Sequence, residues 1–414
     1  MKKKMPIEER FRGFDKRLEN MSLSTQCLHA GEGLEVITAH STTTPIFQAT
    51  NYYYDETKKL ADLLEGNYSG YAYARWGTPT NTALESALST LLGGGMTLTT
   101  ASGMAANFLA LQAAGANNGK TLVISREVYG NTIDVVKNAF AKFGVRCVFA
   151  DFNDLNGLQD VFDNEKPDVI FFEVMTNPML SVIDAPRVIQ MAHNAGAKVV
   201  IDNTFATPYL YRPFFDGVDY ETHSLTKYIN GHGDAMGGSV TCREEDFADL
   251  ERLGCTQGAL LSAGNAQLIM RGLKTFVLRI CKHCENAKQL ADFLSDHPKV
   301  SRVRFPGMPD HPAHPTAVKL FPPGMYGGMV TFDLKDGNRE DCFKVMDALE
   351  LAVPAGSLGD VYTLVIHPSS TTHHSLKSEE KLAAGINEGT IRVSVGIEEI
   401  SDLIADFSQA LEKF

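Results

Sequence analysis

The 414-residue chain contains no run approaching the roughly 18 consecutive apolar residues of a membrane-spanning helix, so insertion into a bilayer is not expected. It has no excess of positive charge: 38 Lys and Arg stand against 50 Asp and Glu, giving a net charge of -12 and an isoelectric point near 5.5. That balance opposes sequence-independent binding to nucleic-acid phosphates. A disulfide framework is also missing. The seven cysteines, Cys27, Cys147, Cys242, Cys255, Cys281, Cys284 and Cys342, are odd in number, scattered, and suited to a reducing compartment. Cys281 and Cys284 form a C-x-x-C pair, but no second Cys or His pair at ligand spacing accompanies them, so two helix-packed thiols are expected and no metal. After Met1-Lys2-Lys3-Lys4 the chain continues with Met5-Pro6-Ile7-Glu8-Glu9-Arg10 where a signal peptide would turn apolar, and a cytoplasmic location is the expectation. Internal repeats and low-complexity tracts are lacking too.

What is present is the composition of a globular protein, 44% hydrophobic and 21% charged, in a chain long enough for roughly two to three domains. Residues 1–60 read as a polar, loop-rich arm that cannot bury much of itself and is expected to contact a partner subunit. From Pro79 and Thr80, an i, i+3, i+4, i+7 stripe through Ala83, Leu84, Ala87, Leu88, Leu91 and Leu92 predicts a helix stopped by Gly93-Gly94-Gly95. A second apolar helix opens at Ser102-Gly103-Met104 and runs to about Gly115. Beyond it, short strands at 122–124, 146–150, 168–173, 198–201 and 218–222 alternate with helices near 132–142, 155–163 and 185–195. Apolar strands alternating with helices indicate a mostly parallel sheet covered on both faces, so residues 61–255 are expected to form an α/β domain. One long helical stretch from Gln267 to Phe293, short strands at 328–332 and 391–395, and the amphipathic Ile400–Leu411 predict a smaller α+β domain over 256–414.

Ligands of such sheets bind at the carboxyl ends of the strands, and several chemistry-bearing residues fall there. Glu173 and Asn177 follow Val169-Ile170-Phe171-Phe172, Asp202 follows Val199-Val200-Ile201, and Lys227 lies just beyond Val218–Thr222. A lysine flanked by Ser224 and Thr226 and followed by glycines can serve as a covalent amine if it is partly desolvated; read alone it is equally a solvated loop lysine. The remaining requirements of a pyridoxal phosphate site also have candidates. Ser102-Gly103-Met104 at a helix start offers N–H donors to a phosphate, with Gly103 allowing close backbone approach. Asp202 can keep a pyridine nitrogen protonated, although a lone Asp there is as readily a turn former. Tyr129, followed by Gly130, can stack on a flat ring; by itself it reads as a core or interface tyrosine. His223 and His232 flank Lys227 and are expected to act through hydrogen bonds, whereas His373 and His374 read as loop or interface residues.

The segments Tyr73-Ala74-Arg75 with Pro79-Thr80, Ser102–Ala106, Tyr129–Thr132, Asn177-Pro178, Asp202–Pro208, Ser224–Tyr228, Ser357–Asp360 and Ile391–Gly396 together resemble the Cys/Met-metabolism (transsulfuration) family of pyridoxal phosphate enzymes, from about residue 25 to the end. The resemblance implies the fold-type I architecture, with an active site shared between two subunits and a homotetramer built as a dimer of dimers. It implies that Lys227 is the Schiff-base lysine and proton shuttle, that Asp202 holds the pyridinium, that Tyr129 stacks on the ring, and that Asn177 bonds near the ring hydroxyl. Ser102, Gly103, Met104, Ser224 and Thr226 would hold the phosphate, with Tyr73 and Arg75 reaching it from the neighbouring subunit. Arg392 would grip the substrate carboxylate as a bidentate fork, helped by Ser357.

Within that family, residues 231–234, 270–275 and 357–360 look like methionine γ-lyases and imply γ-elimination from methionine or homocysteine, releasing a thiol, 2-oxobutyrate and ammonia. Ile366–His373 is more similar to O-acetylhomoserine sulfhydrylases, so γ-replacement on an O-activated homoserine is the alternative; a non-catalytic cofactor binder is a remote one. Asn131 stands where methionine γ-lyases carry cysteine, Gly254-Cys255 where they carry Lys-Asp, and Thr78 where the family usually carries asparagine. Tyr362 sits where cystathionine-processing relatives often have glutamate, which argues against a cystathionine substrate.

Overall fold

The computed structural model describes residues 41–67, 69–373, 379, 381 and 385–414. Residues 1–40 of the expected arm, with Cys27, and also His374, lie outside the described residues. The chain separates into a small unit, described over 41–45 and 49–74 apart from residue 68, and a large unit of Ile46–Gln48 and Arg75–Phe414. In the small unit, Thr57–Leu64 forms helix α1, the Tyr52 and Tyr71 rings pack with centroids 5.6 Å apart, and Asn51 and Tyr73 make an isolated antiparallel bridge.

The large unit begins with α2 (Pro79–Leu92), which ends at Gly93 in the left-handed region. Its N-cap is Thr78, whose hydroxyl accepts the Asn81 amide at 3.2 Å, so the departure from asparagine at this position keeps a capping oxygen. Seven strands then build a sheet: β1 (Met96–Thr100), β2 (Thr121–Ser125), β3 (Arg146–Ala150), β4 (Val169–Glu173), β5 (Lys198–Asp202), β6 (Tyr220–Ser224) and β7 (Gly238–Cys242). Their order is β1-β7-β6-β5-β4-β2-β3; the run from β6 to β3 is parallel, and β7 is antiparallel to both β6 and β1. The sequence reading did not find β1 or β7. Met-Thr-Leu-Thr-Thr and Gly-Ser-Val-Thr-Cys carry too few apolar residues, and they bury threonine hydroxyls that satisfy each other, Thr97 Oγ1 and Thr241 Oγ1 lying 2.8 Å apart.

Alternation along the strands divides the apolar residues between two cores. Leu122, Ile124, Val169, Phe171, Val200 and Tyr220 share one core with Ala106, Leu109 and Ala110 of α3 (Gly103–Ala113). Next, α4 (Gly130–Val135) continues as a π turn and a 3-10 turn to Phe143, within the stretch read as one helix. On the other face, Val123, Ile170, Phe172, Val199 and Ile201 pack with Leu158 and Phe162 of α5 (Leu155–Glu165) and with Val188 and Ile189 of α6 (Ala185–Asn194).

After α7 (Thr207–Leu210) and α8 (Glu244–Gln257), the stretch expected to be one long helix is two, α9 (Ala263–Leu273) and α10 (Phe276–Asp296). The break has a physical cause. Buried Arg279 donates to the carbonyls of Gly272, Tyr228 and Ile229 at 2.8, 2.7 and 3.1 Å, binding the end of α9 to the segment that follows Lys227. A second sheet contains β8 (Val300–Arg304), β9 (Met329–Leu334), β10 (Val353–Pro354), β11 (Leu364–Ile366) and β12 (Thr390–Ser394), in the order β10-β11-β12-β9-β8. Ala287, Leu290 and Leu294 of α10 cover it together with α11 (Arg339–Ala348) and Phe407 of α12 (Ile400–Leu411), around Val330, Phe332, Ile391 and Val393.

The approach of α9 to the lysine segment can be tested with two glycines of that helix. A Cβ on Gly272 would run into the Asn230 carbonyl oxygen, whereas one on Gly264 would meet nothing within 4 Å. Gly272→Ala should therefore cost roughly 1–3 kcal/mol of stability by forcing backbone apart, while Gly264→Ala should be neutral or stabilising by about 0.5 kcal/mol. Denaturant or thermal unfolding of both variants checks this; matching curves would contradict the tight packing at Gly272.

Candidate active site

Glu173, Asp202 and Ser224 end β4, β5 and β6 at the carboxyl edge of the parallel run. Glu173 stands in register with Asp202, and Asp202 with Thr222, so these side chains share the face covered by α3. The N-terminus of α3 points to the same edge. Ser102 caps it by accepting the Ala105 amide at 3.2 Å, and a Cβ on Gly103 would come within 2.7 Å of Ser224 Cβ, so only glycine lets helix and strand end meet here.

These elements enclose a cavity of about 240 Å³. It is lined by Ser102, Gly103, Met104, Tyr129, Asn177, Asp202, Ser224, Thr226, Lys227, Ser357 and Arg392, all singled out from the sequence. Tyr73 and Arg75 are not among its lining residues. Tyr73 is 43% exposed, and Arg75 Nη1 donates to the Cys255 carbonyl at 2.5 Å. Gly254 packs toward Leu98 and Leu109, and neither Gly254 nor Cys255 lines the cavity.

Each polar group is held by another. Asp202 accepts from Asn107 Nδ2 at 2.9 Å and from the Thr204 amide at 3.0 Å, and Asn107 accepts the Thr222 hydroxyl at 2.5 Å. The sequence reading missed Asn107, although a signal existed: it is an isolated polar residue among Ala105, Ala106, Phe108 and Leu109, one helical turn after Gly103 and on its face. Thr204 was missed as well; its hydroxyl accepts the Ser224 amide at 2.8 Å. Lys227 Nζ donates to Ser357 Oγ at 3.0 Å. Burial, and secondarily the positive charge of Arg392, lower the Lys227 pKa to about 8.

Arg392 is 2% exposed; its Nη1 donates to Asn177 Oδ1 and its Nη2 to the Ser357 carbonyl, both at 3.0 Å. Both acceptors are neutral, Nε is buried without a partner, and among the described residues no carboxylate forms an ion pair with this guanidinium. Burial lowers its pKa to about 10. Tyr129 is the N-cap residue of α4: its hydroxyl accepts from Asn131 Nδ2 at 3.3 Å, and its amide donates to Glu173 Oε1 at 2.6 Å. Glu173 is buried, and burial first, then the charges of Asp202 and Glu127, push its pKa well above the ordinary carboxylate range against the opposing Tyr129 hydrogen bond. Thr372 lines the cavity and its neighbour His373 is buried, with burial and Arg392 lowering the imidazole to about 4. His223 pairs with Glu221 at 2.8 Å, both buried, and His232 Nδ1 lies 2.6 Å from the Asn230 carbonyl.

The donor set fits pyridoxal phosphate. A capped helix start meeting Ser224 and Thr226 suits a phosphate, a carboxylate fixed by two donors suits a pyridinium, and a desolvated lysine suits an aldehyde. Comparison with known proteins agrees. Residues 24–412 match the family described as Cys/Met metabolism PLP-dependent enzymes. An L-methionine γ-lyase of Fusobacterium nucleatum subsp. polymorphum is 36% identical over 94% of this chain and 98% of its own length. An O-succinylhomoserine sulfhydrylase of Mycobacterium tuberculosis is 36% identical over 88% of this chain and 90% of its own. Among solved structures, a protein of Campylobacter jejuni subsp. jejuni described as an O-acetylhomoserine (thiol)-lyase, containing a pyridoxyl-lysine phosphate, superposes with TM-score 0.86 at 33% identity, covering 92% of this chain and 97% of that one. The mostly parallel α/β sheet with its second sheet is the fold-type I architecture. The chain belongs to the Cys/Met-metabolism family of pyridoxal phosphate-dependent enzymes.

Proposed function

We propose that this chain catalyses γ-elimination on a sulfur-containing amino acid of the methionine or homocysteine class, taking up water and releasing a thiol, 2-oxobutyrate and ammonia. The observation that carries the reading is Arg392, a buried guanidinium whose partners are neutral oxygens and whose Nε is unpaired, lining the same cavity as an amine of pKa about 8. Such a cation is costly to bury unless a ligand anion joins it, and an amino-acid carboxylate matches its fork. The methionine γ-lyase similarity, over nearly the whole chain, supports elimination as the outcome.

Bound pyridoxal phosphate supplies an electron sink conjugated to the substrate Cα. Ser102, Gly103, Met104, Ser224 and Thr226 would hold its phosphate, Asp202 its ring nitrogen and Asn177 the vicinity of its ring hydroxyl, and Tyr129 would stack on the ring. Arg392 and Ser357 orient the substrate by its carboxylate, which brings Cα–H toward Lys227 Nζ. Lys227 would take the Cα proton, deliver it onto the conjugated electron sink so that its amine is free again, and then take a Cβ proton, while Tyr129 Oη protonates the departing sulfur. Tyr73 and Arg75 serve the cavity of a neighbouring subunit in a homotetramer, which accords with their absence from the lining of their own. The domain division at residues 60 and 255, with the arm contacting a partner, belongs to the same reading. A cytoplasmic location is supported by the odd, scattered cysteines, which suit a reducing compartment.

A second reading, γ-replacement on an O-activated homoserine, is favoured by one observation: Thr372, within the sulfhydrylase-like Ile366–His373, lines the cavity. Incubation with L-methionine, L-homocysteine, L-cystathionine and O-acetyl-L-homoserine, with and without sulfide, separates the two. Elimination predicts 2-oxobutyrate from methionine or homocysteine without a thiol acceptor; product formed only when sulfide is present would replace it with γ-replacement.

Two further outcomes follow from the charges. Because desolvation disfavours the ammonium form, Lys227 is neutral above pH about 8, well below the ordinary lysine value of roughly 10.4. Borohydride trapping of Lys227 with pyridoxal phosphate on cofactor-free protein should thus rise about tenfold per pH unit up to pH 7 and level off above 8; a rise continuing to pH 10 would refute the desolvated amine. Arg392→Gln should lower kcat/KM on the amino acid by roughly 100-fold or more while the bound cofactor keeps its visible absorption, as steady-state kinetics and spectra can establish.

A further inference from the structure

The residue left without a task by that reading is Glu173. It lines the cavity, is 95% withdrawn from solvent at 5% exposure, and stands in register with Asp202 on the neighbouring parallel strand. Neighbouring strands are about 4.8 Å apart, so the two carboxyl groups leave their strands side by side on one face. Their surroundings differ. Asp202 receives two donors, Asn107 Nδ2 and the Thr204 amide; Glu173 receives the Tyr129 amide, and among the described residues no lysine or arginine forms an ion pair with it. Asp202 on β5, Glu127 after β2, and Lys227 and Arg392 of the same cavity are the charged groups about it, and Glu127 is turned to the Thr176 hydroxyl at 2.9 Å.

We propose that Glu173 is a positioning residue that serves as a neutral acid: its Oε1 fixes the backbone of Tyr129, and thereby the ring of Tyr129, while Asp202 alone carries the negative charge of the pair. Two adjacent carboxylates, one buried at Glu173 and one half-buried at Asp202, do not both ionise readily, and the more buried one with fewer donors keeps the proton. Burial and the Asp202 charge drive Glu173 in that direction. A charged Glu173 would compete with Asp202 for the ring nitrogen; a missing one would release the amide that aims Tyr129. The inference rests on the pyridoxal phosphate reading of the cavity.

The test compares holoenzyme carrying Glu173→Gln with holoenzyme carrying Glu173→Ala. Glutamine is neutral and retains an oxygen for the Tyr129 amide, whereas alanine retains neither. Glu173→Gln should lose about two- to five-fold in kcat and keep both the visible circular dichroism of the bound cofactor and the pH midpoint of its absorption band. Glu173→Ala should lose roughly 10–100-fold in kcat and weaken the visible dichroism, because an orphaned buried amide lets Tyr129 move. Thermal melts and gel filtration show that both variants are folded. A glutamine variant as impaired as alanine, or one with a displaced pH midpoint, would overturn the neutral-acid assignment. Wild-type protein that acquires no visible band with pyridoxal phosphate would instead defeat the cofactor reading, and this inference with it.

Discussion

The removal of water from one amine is the constraint on which the cavity depends. A lysine lowered from 10.5 to about 8 has given up about 3 kcal/mol of preference for its charged form, and that cost is supplied by the packing around it. The ammonium form loses hydration on burial and is repelled by Arg392, and Nζ donates to Ser357 Oγ. The carbonyls immediately after the lysine, those of Tyr228 and Ile229, are taken by Arg279, so the segment satisfies its backbone within the protein. Two cations are therefore buried close together, and the difference in their chemistry sorts them. The guanidinium remains charged at a pKa of about 10, and the amine yields its proton.

Much of this was legible in the chain because the central strands are continuous apolar runs between helices, and strand ends can be counted from them. Asp202, Glu173 and Lys227 were identified as residues at or beyond strand ends on that basis, and Tyr129, Asn177 and Arg392 gained roles from the resemblance. What escaped the reading escaped for physical reasons. The edge strand β1 and its neighbour β7 bury threonine hydroxyls beside few apolar side chains, Leu98 and Val240 among them, so no apolar periodicity announces them. The division of the long helix near Thr275 is imposed by Arg279 reaching across to residues 50 positions away, a contact invisible to local pattern. Asn107 depends on register between a helix and two strands, which the apolar pattern does not specify.

In the proposed mechanism elimination and replacement would share Arg392, Lys227 and Tyr129, so residues this close to the reacting atoms would discriminate poorly between them. Differences must lie where a second reactant would enter. Thr372 and Met236 line the cavity, and Asn131, exposed, touches the Tyr129 hydroxyl. By contrast, Gly254 and Cys255, which looked informative in the chain, lie in α8 outside the cavity lining; Gly254 packs toward Leu98 and Leu109, and Arg75 meets Cys255 at its backbone carbonyl, which any residue would supply.

Helix α10 belongs to two cores at once: Phe276, Ile280 and Cys284 near its start pack with the first sheet, and Ala287, Leu290 and Leu294 farther along pack with the second. Arg279 leaves it between the first two of these and grips the carbonyls beside Lys227. The helix is thus a lever about 30 Å long whose far arm lies in the layer that supplies Arg392 and whose near arm carries the clamp on the lysine segment. One continuous helix thus ties the backbone beside Lys227 to the layer that holds Arg392, so the spacing of the amine and the guanidinium is fixed by a single rigid element.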